Sequence, residues 1–364
     1  MARSWPSLDG VTGWDDEAFR GSIQEALDEF LAEMADRLGP LGPDAGRLLA
    51  EARLSVAGGK RFRAAFCYWG YRAVRADVED EHALVRACAA LELLHASALV
   101  HDDYMDASDT RRGRPATHRS FATEHRSDGW RGDPEQYGAS GAILLGDLLL
   151  SWADELLRRC GLLDARVAAA MDVFDLCRSE VITGQFLDVS AQARGRADVD
   201  TAMTVLRYKS AKYSIERPLH IGAALAGATA AQTAALSAFG LPLGEAFQLR
   251  DDLLGVFGDA ETTGKPAGDD LIEGKRTVLV ALALDAAGPE EAALLDQSLG
   301  TTLDAGQVRR LCEIIDSSGA HAQVEAVIKE LAERAILGLE RADIEEPAHG
   351  VLRQLASAAT DRVV

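Results

Sequence analysis

The sequence predicts an all-α protein with one hydrophobic core. Apolar residues recur at steps of three and four through most of the chain, and no alternating run bounded by turns predicts a strand. Hydrophobic residues make up 48% of the sequence and aromatic residues only 6%, which suits closely packed helices. The 364 residues suffice for one large core or two domains. Because no repeat, low-complexity tract or linker divides them, we expect one domain.

The helices are predicted one by one from apolar periodicity. Residues 1–14 lack it and are expected to form a loose lead-in, so that the domain covers 15–364. In 15–38 the apolar residues share one helical face, and Gly and Pro residues follow. The same reasoning predicts helices at 44–56, 62–76, 80–108, 138–160, 163–191, 198–227, 230–256, 269–286, 305–317, 322–341 and 347–361. The polar residues of 123–138 predict a long loop.

The net charge and the cysteines limit the partners and the cellular compartment that we expect for this chain. The net charge of −20 makes nucleic acid and anionic membranes poor partners, so a bound anion needs a locally basic pocket. The five cysteines show no metal-ligand spacing and fit free thiols in a reducing compartment. We find no signal peptide and no segment of about twenty apolar residues without charge. We therefore expect a cytoplasmic protein without stable membrane insertion.

Two acidic clusters stand at the ends of long apolar stretches that are predicted to be helical. The first holds Asp102, Asp103 and Asp106, and the second holds Asp251 and Asp252. Asp102 and Asp106 lie one helical turn apart, so their carboxylates share a face and repel each other. A bound cation would relieve this repulsion. A set of oxygen ligands favours Mg²⁺ over Ca²⁺.

Basic residues follow each acidic cluster. Arg111 and Arg112 come shortly after the first, and the segments 263–266 and 274–277 come after the second. Acidic and basic groups together at two places predict a site that binds metal ions and a polyanion, because Mg²⁺ held by few carboxylates completes its shell with phosphates. The alternative is that both clusters are solvated helix faces, since an acidic chain contains many Asp pairs by chance.

Seven short motifs occur in a fixed order over more than half of the chain. They are residues 58–63, 94–106, 111–113, 184–188, 208–210, 247–252, and 264–266 together with 274–277. In this order they resemble the motifs of the trans-prenyltransferases, the polyprenyl diphosphate synthases of the isoprenoid synthase type I fold. The resemblance implies a bundle of about ten or more helices around a central cavity.

The resemblance also implies the reaction. The enzyme would use Mg²⁺, with three ions per active site, to condense isopentenyl diphosphate with dimethylallyl, geranyl or farnesyl diphosphate. The product would be an all-trans prenyl diphosphate. Members of the family pair through helices beside the active site, so we expect a homodimer in which 138–150 and 221–235 pack against a second copy.

Residue roles follow from the matching positions. The resemblance implies a catalytic set of Asp102, Asp103, Asp106, Lys209, Asp251 and Asp252. The Mg²⁺ ligands among them would be Asp102, Asp106 and Asp251. The allylic diphosphate would be bound by Arg111, Lys209, Ser210, Gln248, Lys265 and Lys275. Isopentenyl diphosphate would be bound by Lys60, Arg63, His95 and Arg112. The cavity and the chain length would be set by Leu94, Ser97, Ala98, Gln185 and Asp188.

Two small residues predict the product length. Ser97 and Ala98 precede Asp102 by five and four residues, about one 5.4 Å helical turn. Family members that stop early often place Phe or Tyr there, so the small residues favour C20 geranylgeranyl diphosphate over the C15 farnesyl product, and Leu94 would help to form the floor. The alternative is that both residues are small to let helices pack.

Other functions stay open at this point. The chain could make the farnesyl product or longer prenyl chains. A class I terpene cyclase would lack the basic residues for a second diphosphate, and its second metal motif would differ from Asp251 and Asp252. A non-catalytic prenyltransferase subunit would usually lose acidic motifs. Gly255 stands where many members of the family carry a third Asp, which removes one potential cation ligand.

Overall fold

The computed structural model describes residues 16–195, 198–258 and 267–360. It confirms the all-α prediction, because the described residues are mostly helical and their only strands form a hairpin of two residues each, β1 (Thr110–Arg111) and β2 (Arg114–Pro115). The lead-in predicted for 1–14 lies outside the described residues. The single-domain boundary of 15–364 stays a prediction.

The helices alternate with short connections. The first half contains α1 (Asp16–Leu38), α2 (Pro43–Ser55), α3 (Phe62–Arg72), α4 (Glu81–Met105), α5 (Thr117–Ser127), α6 (Pro134–Arg158) and α7 (Asp164–Arg194). The second half contains α8 (Val199–Val205), a π-helical segment (Leu206–Glu216), α9 (Arg217–Ala226), α10 (Ala230–Phe257), α11 (Asp269–Glu273), α12 (Val278–Ala286), α13 (Pro289–Ser298), α14 (Ala305–Ser317), α15 (Ala320–Glu340) and α16 (Ala348–Thr360).

Some boundaries differ from the prediction for local reasons. The predicted loop 123–138 shrinks to six residues, because α5 runs to Ser127 and the Asp133 carboxylate caps α6 by accepting from Glu135 N. The helix predicted over 269–286 is broken at Gly274, whose φ of 78° ends α11. Helix α13 was not predicted, since Leu295 is its only buried residue and gives no periodic stripe.

The described helices form two hydrophobic clusters that share α10. The larger cluster contains α4 at its centre, packed along α6, while α3 packs against α9. The second cluster contains α12, α14 and α15. Leu243 of α10 belongs to the larger cluster and Leu249 to the second, so one continuous helix joins them.

Helix α4 is long and apolar enough to cross a membrane, which the sequence analysis did not expect. However, 78% of its most apolar window is buried inside this chain. This is the arrangement of a helix in the core of a soluble domain. The burial places the acidic end of α4 at the rim of the core.

Candidate active site

The first acidic cluster is joined to α7 and to the π-helical segment. The amide of Gln185 donates to Asp102 Oδ1 at 2.8 Å. The ammonium group of Lys209 lies 2.5 Å from Asp188 Oδ2 and 3.4 Å from Asp102 Oδ1. The structure therefore brings four of the predicted site residues from three elements into one polar network.

The charges in this network depend on one another. Burial would raise the pKa of Asp102, but Lys209 and Lys275 outweigh burial and hold that pKa below its ordinary value. Burial and repulsion from Asp102 raise the pKa of Asp106 to about 7. The neighbouring carboxylates also raise the pKa of Lys209, against the effect of burial. Asp106 thus needs a further cation nearby to stay fully ionised at neutral pH.

Asp103 points away from its two acidic neighbours and binds Arg111. The Arg111 Nε donates to Asp103 Oδ1 at 2.8 Å, and a second guanidinium nitrogen contacts the same oxygen. Asp103 is only 4% exposed. Its place in the structure is therefore to orient Arg111, the arginine predicted to contact the allylic diphosphate.

The hairpin after α4 presents the next arginine. Its turn is Arg112–Gly113, and both residues have a left-handed backbone, with φ of 52° and 72°. Such a turn matches the twist of a two-residue hairpin. For Arg112, which is not glycine, this conformation costs about 1–3 kcal/mol. In return the guanidinium reaches the loop before α3, where Nη1 donates to Ala57 O at 2.9 Å.

A polar cavity of about 180 Å³ lies between this hairpin and α3. All four residues predicted to bind isopentenyl diphosphate line it, namely Lys60, Arg63, His95 and Arg112. Burial and the neighbouring Arg63 and Arg112 lower the pKa of His95 well below its ordinary value. The cavity thus combines the cations of Lys60, Arg63 and Arg112 with a neutral imidazole, which suits a diphosphate group. The paired Arg61 and Glu92 also line it, together with apolar side chains, namely Phe62, Phe66, Ile215 and Phe247.

A buried ion pair beneath this cavity was not predicted from the sequence. Arg61 has φ of 55°, and its side chain turns into the core. Its guanidinium donates to Glu92 Oε2 at 3.0 Å, and to Gln24 Oε1 and Val56 O at 2.6 Å each. The inward turn of Arg61 fixes the loop from which Lys60 enters the cavity.

Tyr213 was also missed. The hydroxyl of Tyr213 lies 2.9 Å from His95 Nδ1, and the Arg63 guanidinium lies over its ring at 4.3 Å. Arg63 also donates to Ser214 Oγ at 2.8 Å. Because Lys209 lies on the same segment, the π-helical segment connects the acidic cluster to the basic cavity. In the sequence, the only indication of this contact is an aromatic residue four positions after Lys209. A tyrosine that is simply buried in a core gives the same pattern.

Two glycines allow the π-helical segment to approach its neighbours. A Cβ on Gly184 of α7 would lie 2.4 Å from Lys209 N, and one on Gly244 of α10 would lie 2.5 Å from Ala211 O. Any side chain there would push the segment away. The Gly of the motif at 184–188 therefore serves to bring Lys209 against Asp188.

The second acidic cluster lies in the last two turns of α10. Asp251 is exposed, whereas Asp252 is buried and accepts from Gln248 Nε2 at 2.8 Å. Burial and repulsion from Asp270 raise the pKa of Asp252 to about 8. Gln248, predicted to contact the allylic diphosphate, is therefore placed to hold Asp252.

Lys275 lies between the two acidic clusters. Its ammonium group is 3.0 Å from Asp270 Oδ1, 2.5 Å from Glu273 Oε2 and 3.9 Å from Asp106 Oδ2. Ser210, next to Lys209, is half-buried. Lys265 lies outside the described residues, so its predicted contact with the allylic diphosphate stays a prediction.

The residues predicted to set the chain length divide into two groups. Ser97 is buried and donates to Gly146 O at 2.7 Å, so it faces α6 and serves the close packing of α4 on α6. The contact favours the alternative that Ser97 is small to let helices pack, and its effect on chain length stays a prediction. Leu94 is buried in the larger cluster, and Ala98 is partly buried against it. The prediction for product length thus depends on Ala98 and Leu94.

The donor set fits Mg²⁺. No group of three His, Cys, Asp or Glu residues in the described ranges could enclose a metal ion. Mg²⁺ is commonly held by one or two carboxylates and completes its octahedron with water and phosphate oxygens. Asp102 and Asp106 on one side and Asp251 on the other supply such carboxylates.

Known proteins are similar to this chain over most of its length. The family model for "Polyprenyl synthetase" matches residues 47–315. A geranylgeranyl diphosphate synthase of Mycobacterium tuberculosis is 34% identical over 93% of this chain and 96% of its own length. A short chain isoprenyl diphosphate synthase of Methanothermobacter thermautotrophicus is 33% identical over 82% of this chain and 86% of its own.

A solved structure is similar over nearly the whole chain. It is a geranylgeranyl pyrophosphate synthase from Corynebacterium glutamicum, complexed with isoprenyl diphosphate and magnesium. The two chains share 39% identity and a TM-score of 0.93, over 96% of this chain and 100% of the other. A (2E,6E)-farnesyl diphosphate synthase of Mycobacterium tuberculosis is 31% identical over 94% of this chain and 92% of its own.

The strained Arg112–Gly113 turn predicts that replacing Arg112 changes thermal stability and substrate affinity in different directions. Arg112→Gly should keep or slightly raise the melting temperature, because glycine adopts the left-handed turn freely. The same change should weaken binding of isopentenyl diphosphate about 10- to 100-fold, the effect of losing a charged hydrogen bond worth about 1.5–3 kcal/mol. Calorimetric titration and thermal unfolding measure the two effects. Gly113→Ala is the control: it adds backbone strain and keeps the charge. Unchanged affinity in Arg112→Gly would contradict the assignment.

Proposed function

Because the chain belongs to the polyprenyl synthetase family and is a prenyltransferase, we propose that it elongates an allylic diphosphate with isopentenyl diphosphate to geranylgeranyl diphosphate. One observation supports the proposal: two groups of cationic side chains, one in the basic cavity and one beside the acidic clusters, are joined by one segment. The basic cavity carries Arg63 and Arg112, while the acidic clusters carry Lys209 and Lys275. Two diphosphate substrates require two such sites.

We propose a different task for each site. The allylic diphosphate binds between the acidic clusters, where Arg111, Lys209 and Lys275 stabilise the charge that develops as its carbon–oxygen bond breaks. Mg²⁺, when bound there, supplies further positive charge at the leaving oxygens. Isopentenyl diphosphate binds in the basic cavity, and its alkene attacks the allylic carbon. The new carbon–carbon bond forms, a proton leaves the adjacent carbon, and the released diphosphate is its acceptor.

The cation assignment is part of the proposal. Asp102 and Asp106 hold Mg²⁺ on one side, and Asp251 holds it on the other. Magnesium in the similar Corynebacterium structure supports the choice of ion. The number of three ions is carried over from the family resemblance, and Mg²⁺ held by few carboxylates would complete its shell with diphosphate oxygens.

The product assignment has two supports. Relatives named as geranylgeranyl synthases share 34% and 39% identity with this chain. Ala98, near the metal end of α4, carries no bulky side chain that would stop chain growth. The farnesyl product is the alternative, since a relative with that name shares 31% identity. The basic cavity argues against a terpene cyclase, which binds no second diphosphate.

We also propose a cytoplasmic location. All five cysteines are free in the structure, and four of them are buried. Free thiols suit a reducing compartment.

The test of the reaction uses purified protein, Mg²⁺, labelled isopentenyl diphosphate and each allylic primer. Wild type should elongate at least one primer, and Asp102→Asn should lower turnover about 10²- to 10³-fold, as loss of one preorganised electrostatic group does. The exposed Asp285→Asn on α12 is the control for loss of a charge and should keep wild-type turnover. Cyclised hydrocarbon without elongation would support a cyclase, and near-normal turnover of Asp102→Asn would refute its assigned role.

The product length is tested at one position. Wild type should accept farnesyl diphosphate as a primer, and Ala98→Phe should shift the product towards C15 because the ring closes the path beside α4. Ala98→Ser, which changes size little, is the matched control and should keep the C20 product. Chromatography of the dephosphorylated products measures both. Refusal of farnesyl diphosphate by wild type would overturn the C20 assignment.

We further propose a homodimer that uses α6. Part of the predicted stretch 221–235 is used within the chain, because Ile221 is fully buried in α9, which packs against α3 and α7, whereas several residues of 227–235 are exposed. The contribution of this stretch to a dimer stays a prediction. In contrast, Ile143 and Leu144 of α6 are 44% and 60% exposed. Apolar residues exposed side by side indicate a contact surface.

The dimer is tested by molar mass. Wild type should have twice the chain mass in light scattering at micromolar concentration, and Leu144→Lys should shift it to the monomer by placing a charge in the interface. Leu41→Lys, at a leucine that is 72% exposed in the segment between α1 and α2, should stay dimeric. A monomeric wild type would contradict the proposal.

A further inference from the structure

One face of α7 holds the π-helical segment at two places. Glu180, Gly184 and Asp188 are spaced four residues apart, so they share a helix face. Asp188 contacts the ammonium group of Lys209 at 2.5 Å, and Gly184 lets the backbone of the segment approach α7. Glu180, one turn before Gly184, was assigned to neither substrate site. Its carboxylate meets the far end of the segment.

The Glu180 carboxylate contacts two cations at that end. Arg217 Nε and Nη2 donate to its two oxygens at 2.7 and 2.8 Å, and the Lys212 ammonium group lies 3.3 Å from Oε1. Glu216, whose Oε2 lies 3.4 Å from the Lys212 ammonium group, completes a cluster of two cations and two carboxylates. None of the four side chains is more than 14% exposed, so solvent ions screen these pairs little.

The same two cationic residues are joined through the backbone. The N–H of Arg217 donates to Lys212 O, five residues earlier, which is the hydrogen bond of a π-helix. In an α-helix, residues five apart point about 140° away from each other, which directs their side chains to different neighbours. The wider π turn brings both positions towards α7. Glu180 therefore stabilises the π-helical turn over an α-helical one.

The width of this turn sets how the two proposed substrate sites lie relative to each other. Lys209 lies beside the first acidic cluster. Tyr213 contacts His95 in the basic cavity, and Ser214 accepts a hydrogen bond from Arg63 there. An α-helical turn would change the angle at which Tyr213 and Ser214 project relative to Lys209. A reaction between two bound molecules depends on such a relation, because a misplacement of about 1 Å can lower the rate about 100-fold.

We propose that Glu180 is a positioning residue for the prenyl transfer: through Lys212 and Arg217 it holds the π-helical turn and so aligns the two bound substrates. This inference rests on the proposed function. Glu180 touches neither substrate, and the cations of the basic cavity are carried by other elements. Loss of the Glu180 charge should therefore leave isopentenyl diphosphate bound but misaligned with the allylic carbon.

The test compares binding with the rate of bond formation. Glu180→Gln keeps the side-chain shape and removes the charge. Single turnovers at saturating substrates separate bond formation from product release. In them the rate should fall about 10- to 100-fold, the effect of a small misplacement. Calorimetric titration should give an affinity for isopentenyl diphosphate within a few-fold of wild type. Asp172→Asn, at an exposed carboxylate of α7, is the control and should keep both values.

A second set of variants tests the contact from the other side. Lys212→Met keeps most of the side-chain length and leaves the Glu180–Arg217 pair in place, so the chain should stay folded. It should lower the single-turnover rate as Glu180→Gln does, whereas Lys212→Arg, which keeps the cation, should stay near wild type. Lys329→Met, at an exposed lysine of α15, is the matched control. Circular dichroism and thermal unfolding check that each variant is folded at the assay temperature.

Two results would overturn the inference. One is a wild-type single-turnover rate in folded Glu180→Gln or Lys212→Met, because the cluster would then serve stability alone. The other is a loss of isopentenyl diphosphate affinity large enough to explain the lost rate, because the contact would then belong to one substrate site. If Glu180→Gln does not fold, the Lys212 variants decide by the same criteria. Failure of the proposed function is recognised separately, because wild type would then elongate no allylic primer.

Discussion

The ammonium group of Lys209 is the contact on which the site depends. It lies 2.5 Å from Asp188 and 3.4 Å from Asp102, so one cation joins α7, α4 and the π-helical segment. Breaking a buried ion pair by removing one partner costs about 3–5 kcal/mol. Burial also removes competing water, so the same charge acts strongly on an anion beside it. The residue that joins these helices is therefore also the one that we propose acts on the leaving diphosphate.

The backbone around the basic cavity is strained at two residues. Arg61 and Arg112 both adopt a left-handed conformation that favours glycine, with φ of 55° and 52°. Each costs about 1–3 kcal/mol. The first turns its side chain inward to Glu92, and the second turns its side chain outward to the cavity. The same backbone conformation thus directs Arg61 to an ion pair in the core and Arg112 to the cavity in which we propose that isopentenyl diphosphate binds.

Local spacing decides what the sequence could predict. Asp102 and Asp106 could be assigned to one face because a helix fixes that relation, and most long helices could be found by periodicity. Glu92 and Tyr213 could not, because their partners come from elements distant in sequence, and both look like ordinary residues of a buried helix. For Ser97, the sequence allowed two interpretations. Its small size fitted an open cavity, but its hydroxyl bonds to α6, and only the structure distinguishes the two.

Gly255 shows that the absence of one motif residue from the sequence does not establish that the function is absent. Read along the chain, glycine at this position removes a ligand from the second cluster. In space, it makes room for Asp270, whose Oδ2 stands where a Cβ at 255 would be. A cation responds to the position of an oxygen and not to the helix that carries it. A side chain at position 255 and the observed position of the Asp270 carboxylate therefore exclude each other, which only the structure reveals.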